Sequence, residues 1–140
     1  MRYLITVSYD GTDFKGYQKQ VRERTVQGEL EKVLKQINDN KKVDISGSGR
    51  TDARVHAINQ KISFDLDINI TCDKLFNALN SLVPKDIYVR DVKEVDSTFH
   101  ARFNAIGKEY MYIINMGEYN PIERNYVYQY NKKLDVVEME

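Results

Sequence analysis

The chain has a single cysteine in 140 residues, which excludes an internal disulfide and a zinc site built on paired cysteines. Only 2 prolines and 7 glycines are present, far from the bias of collagen-like or low-complexity chains. Tryptophan is absent. No apolar run approaches the roughly 20 residues that a membrane helix requires. An excess of one charge is missing too: 21 basic and 21 acidic residues cancel, so global electrostatics names no nucleic-acid or membrane partner. The start, from Met1 to Val7, passes straight into alternation without the apolar core and small-residue cleavage site of a leader. With 41% hydrophobic and 30% charged residues, the chain reads as a soluble, cytoplasmic protein of one-domain length, large enough for a sizeable core.

Tyrosine is abundant, at 10 residues, and several tyrosines stand beside Lys or Arg, a mixture that suits base stacking and ordinary strands alike. Tyr3, Ile5, Val7 and Tyr9 alternate with Leu4, Thr6 and Ser8 as a strand does. A polar loop follows from Asp10 to Arg24. Thr25 then N-caps a helix running to about Asn38, with Val26, Leu30, Val33, Leu34 and Ile37 on one face. Short and long strands are expected over Val43–Ser46 and Gln60–Leu66. Thr71 caps a second helix with an apolar stripe of Leu75, Phe76, Leu79 and Leu82, stopped by Pro84. Strands over Ile87–Val95 and Ile106–Asn115 complete the reading. The order is β-α-β-β-α-β plus one strand: an α+β, ferredoxin-like antiparallel sheet with its helices on one face. The segment from Asn131 to Glu140 reads as a turn opening a helix of barely one turn, which is unstable alone, so the chain reads as cut.

Chemistry-bearing residues are densest from Gly47 to Ala57, which reads Gly-Ser-Gly-Arg-Thr-Asp-Ala-Arg-Val-His-Ala. The glycines allow a tight turn and close approach to a phosphate or sugar. Arg50 and Asp52, two apart, project to the same side of an extended segment. A guanidinium beside a carboxylate favours the ionised form, and an ionised carboxylate next to a ligand can act as nucleophile or base. An Arg–Asp pair that only braces the turn is the plainer alternative. The loop from Tyr9 to Arg24 interleaves aromatic and basic side chains, as phosphate contact with base stacking requires and as a solvated loop also does. Asp10-Gly11-Thr12-Asp13 lacks the further ligands and closing glutamate of a calcium loop. His56 and His100 stand in no metal-binding spacing, and Cys72, at a helix start, has no partner for nucleophilic work.

Taken together, these segments resemble the TruA family of tRNA pseudouridine synthases. Tyr9-Asp10-Gly11-Thr12 with Phe14, Gly16 and Gln18 is similar to the family's opening loop, and Thr25-Val26-Gln27 with Leu30-Glu31 to the start of its first helix. Gly49-Arg50-Thr51-Asp52-Ala53 with Val55-His56-Ala57 resembles its catalytic motif. Phe99-His100-Ala101-Arg102 and Lys108-x-Tyr110-x-Tyr112 resemble later signatures. The resemblance covers the whole chain but only the first part of a usual family member, and implies that residues 1–105 are the N-terminal ferredoxin-like domain carrying the catalytic aspartate and 106–140 the start of a second, truncated domain. It implies isomerisation of uridine to pseudouridine in the anticodon stem and loop of tRNA, with no metal and no organic cofactor, by a homodimer. By the same resemblance Asp52 is the catalytic aspartate, Tyr110 packs against the target base, and Arg50 pairs with the aspartate and helps displace the base. Three positions depart from the pattern. Arg54 stands where glycine is usual, which strains the loop if that residue needs positive φ; Tyr17 replaces a tryptophan and Val83 a leucine.

Two other readings give different expectations. A truncated, catalytically incomplete RNA-binding module would hold tRNA without isomerising it; the third strand, Gln60–Leu66, lacks the aromatic-rich pattern of an RNA-recognition motif. A metal-dependent phosphoesterase using Asp10, Asp13 and Asp52 would need magnesium.

Overall fold

The computed structural model describes residues 1–132; the helix expected near the end of the chain lies, from residue 133 onward, outside the described residues. Strand β1 (Arg2–Tyr9) is followed by a short 3-10 turn (Gly11–Asp13), helix α1 (Val26–Ile37), strands β2 (Ser46–Gly47) and β3 (Ala57–Asp65), helix α2 (Cys72–Leu82) and strand β4 (Ile87–Val95). The sheet order is β2-β3-β1-β4, antiparallel throughout. This is the ferredoxin-like α+β arrangement.

Local chemistry accounts for each element. The Thr25 hydroxyl accepts the Gly28 amide and starts α1, and the Thr71 hydroxyl accepts that of Lys74 and starts α2. Residue 83, just before Pro84, ends α2 in an extended conformation, as the residue preceding a proline prefers. Tyr3, Ile5, Val7 and Tyr9 of β1 are buried in one core with Leu30 and Leu34 of α1, and with Leu75 and Leu79 of α2. Full burial of a large apolar side chain contributes about 1.5–3 kcal/mol. The central strand β1 pairs along its length with β3 and β4, Ile5 lying opposite both Ile62 and Val92.

Three strands differ from expectation, the long one running from Ala57 to Asp65 rather than from Gln60 to Leu66. The short one is displaced to Ser46–Gly47, paired with Ser63 and Ile62, while Val43 and Ile45 are buried outside that ladder. The strand expected over Ile106–Asn115 is confined to β5 (Ile114–Asn115), which pairs in parallel with β6 (Tyr128–Gln129). A strand persists only where a neighbour takes up its backbone groups, and here two residues have one.

The chain divides into two compact units, one from Met1 to Ile106 and one from Gly107 onward. In the second unit, Tyr110 and Tyr112 lie outside regular structure and are exposed. Among the described residues no helix is long and apolar enough to cross a membrane.

Candidate functional site

The loop between β2 and β3 carries Arg50 and Asp52, and it is fastened to the loop after β1 on both sides of the aspartate. Before it, the Tyr17 amide donates to the Thr51 carbonyl at 3.0 Å, and the Tyr9 and Thr51 hydroxyls meet at 2.7 Å. After it, the Arg54 amide donates to the Phe14 carbonyl at 3.3 Å, and the Gly11 amide donates to His56 Nδ1 at 2.9 Å. The same Nδ1 lies 3.2 Å from Asp10 Oδ1. The Gln60 side-chain amide donates to the Gly49 carbonyl, and the Ser48 amide donates to the Lys61 carbonyl at 2.8 Å.

Close packing makes this interlock possible. A Cβ on Gly11 would lie 2.1 Å from the Val55 carbonyl oxygen, and one on Gly16, which has φ +94°, would lie 3.1 Å from that of Thr51. Only glycine lets these two backbones approach so closely. The loop after β1 is itself anchored. Phe14 and Tyr17 are buried, Arg24 makes a two-point ion pair with Asp86 at 2.8 and 2.9 Å, and its guanidinium lies 4.1 Å from the centre of the Phe14 ring. Burial pushes the Tyr9 and Tyr17 hydroxyls up from their ordinary range, so both stay protonated.

Asp52 stands exposed at the tip of this scaffold. Its main-chain carbonyl accepts the Val55 amide at 3.2 Å, while no ion pair joins its carboxylate to Arg50 among the described residues. The Arg50 guanidinium instead donates to Gln18 Oε1 at 3.3 Å. Arg50 and Asp52 thus share one loop, and Tyr110 belongs to the second unit. Arg54 has φ +69°, the left-handed region in which a non-glycine residue is strained. Asp10 is taken up locally, its Oδ1 accepting the Thr12 amide and hydroxyl. Among the described residues Asp10, Asp13 and Asp52 do not gather into a metal-holding group. His100 accepts the amides of Arg102 and Phe103 on Nδ1, a loop-bracing histidine.

Sequence reasoning passes over Gln60 and the bracing roles of Tyr9, Tyr17 and His56. Gln60 has a visible signal: it continues inward the alternation of Ile62, Phe64 and Leu66, where a polar side chain needs a partner. The other contacts join loops far apart in sequence and follow no period.

The Asp52 carboxylate is thus exposed on a doubly fastened inter-strand loop of a ferredoxin-like sheet. The profile of a family described as tRNA pseudouridine synthase matches residues 5–104, and the chain belongs to that family. It is similar to proteins named tRNA pseudouridine synthase A: 46% identical over 136 residues to that of Latilactobacillus sakei subsp. sakei (strain 23K), covering 96% of this chain and 55% of the relative. The identity is 48% over 139 residues both with that of Lacticaseibacillus casei (strain BL23) and with that of Geobacillus sp. (strain WCH70), covering 99% of this chain and 56% of each relative. The chain therefore spans about half the length of the curated relatives it matches.

Proposed function

We propose that this chain carries the catalytic aspartate of a tRNA pseudouridine synthase and that Asp52 acts on a uridine of the anticodon stem and loop. The observation that carries this reading is an exposed Asp52 carboxylate on a loop fastened before and after it, within the segment that matches the family. Family membership supports tRNA as the substrate.

The reaction breaks the bond between uracil N1 and ribose C1′, turns the ring, and forms a bond from C5 to C1′. The C5 hydrogen leaves as a proton, and N1 gains one. An anionic Asp52 has two routes: attack on the nucleoside to form a transient covalent bond, or removal of a sugar proton. Either requires the base outside its stack, at a cost of a few kcal/mol. Tyr110 against the flipped base would return about 1–3 kcal/mol. Arg50 supplies positive charge for a phosphate or for the aspartate, and helps displace the base. The substrate provides every non-hydrogen atom of the product, so the residues assigned here need no metal or organic cofactor. The proposed setting is the cytoplasm, with two copies of the protein acting together.

Tritium release from tRNA labelled at uridine C5 tests the reading, because that hydrogen must be lost to water. Release by the chain and none by Asp52→Ala, with tRNA binding kept, is the expected result. Equal release by the variant would remove Asp52 from the chemistry. Binding without release by either protein would instead leave an RNA-holding module that lacks part of its site.

A further inference from the structure

The neutral overall charge hides one local excess. A groove of about 380 Å³ beside α1 is lined by Lys19, Lys32, Lys35 and Lys42, together with Glu31 and Val43. Lys32 and Lys35 stand three residues apart on α1, so their side chains share a face. Both are exposed, and neither has an ion pair among the described residues. The other two lysines are only loosely held. Lys42 lies 3.3 Å from an exposed Asp44, and Lys19 lies 3.8 Å from Glu31. Glu31, the one acid lining the groove, is 8% exposed and already faces Lys19 and the Gln27 amide. Positive charge therefore dominates the open side of the groove.

This groove begins where the Asp52 loop is braced. Lys19 follows Gln18, which holds Arg50, and the Lys19 amide donates to Gln27 of α1 at 2.9 Å. Compact ammonium charges suit phosphates and carry no base preference. We propose that this groove is a docking track for the sugar–phosphate backbone of tRNA, gripping by charge a stretch of substrate beyond the reacting nucleotide. The proposal rests on the reading that the partner is tRNA.

Binding of fluorescently labelled tRNA to the full chain, followed by anisotropy between about 50 and 200 mM salt, tests it. Each lysine that neutralises a phosphate steepens the dependence of log K on log salt by about 0.7–0.9. The Lys32→Gln/Lys35→Gln double variant is expected to flatten that slope by about 1.4–1.8, and to weaken tRNAs of different sequence alike. A charge-matched control, Lys74→Gln/Lys85→Gln, is expected to leave the slope in place. Equal flattening in both variants, no change in the first, or no tRNA binding by the unaltered chain would each overturn the proposal. So would binding of polyglutamate in preference to RNA, which would assign the groove to an acidic protein. Tritium release separates the two readings. Loss of the groove proposal alone leaves Asp52-dependent release intact, whereas failure of the isomerase reading abolishes release without silencing the anisotropy measurement.

Discussion

Arg54 shows how one side chain can work against its own backbone. Its φ of +69° places it in a region that costs an L-residue roughly 1–2 kcal/mol. Its amide is nevertheless held by the Phe14 carbonyl, so the surrounding contacts maintain the conformation. Glycine removes the steric cost but adds about 0.5–1 kcal/mol of chain entropy in the unfolded state. Arg54→Gly is therefore expected to raise the melting temperature by a few degrees. A melting temperature unchanged or lowered would mean that the arginine side chain contributes binding energy of its own. The sign of the Arg54 φ is set by distant partners, which no local pattern in the sequence encodes. The same holds for Arg50, whose spacing from Asp52 suggests a pair while its guanidinium meets Gln18 across the interlock.

At the scale of elements, caps and periodicity make α1, α2, β1 and β4 legible in the sequence, since their signals are local. The loop from Asp10 to Arg24 is not legible in that way. Its basic residues suggest a solvated or RNA-contacting surface, but Phe14 and Tyr17 are buried and bind it to the Asp52 loop. Helix α1 carries a related tension at Glu31. Burial raises its carboxyl above the ordinary glutamate range, although Lys19 and the Gln27 amide pull it down. A folded state that holds this proton more tightly than the unfolded one gains most stability below the ordinary glutamate pKa. That gain is lost as the pH rises through the elevated folded value. At neutral pH the helix thus holds a buried anion at a cost, with Oε2 lacking a hydrogen bond among the described residues. Glu31→Gln is expected to raise the melting temperature at pH 7, with the gain fading toward about pH 4. A variant that melts lower at pH 7 would show that the contact with Lys19 outweighs the burial.

For the whole molecule, the division into two units separates the core and the proposed reacting carboxylate from the tyrosine proposed to stack on the base. Among the described residues the main hydrophobic cluster runs from Tyr3 to Val92. The carboxylate proposed to react stands on the same unit, whereas the tyrosine proposed to stack on the base lies beyond Gly107. The second unit exposes Tyr110, Met111 and Tyr112 at 66%, 69% and 86%, so those side chains contribute little burial energy where they are. A fragment of residues 1–106 is therefore expected to melt cooperatively within a few degrees of the full chain, as followed by circular dichroism. The same fragment is expected to release no tritium from labelled tRNA, because it carries Asp52 without Tyr110. It should still bind tRNA with a salt slope close to that of the full chain, since Lys19, Lys32, Lys35 and Lys42 all remain. A fragment that fails to fold would show that the second unit stabilises the sheet. One that folds and still turns over would remove Tyr110 from the reaction and place every essential group on the first unit.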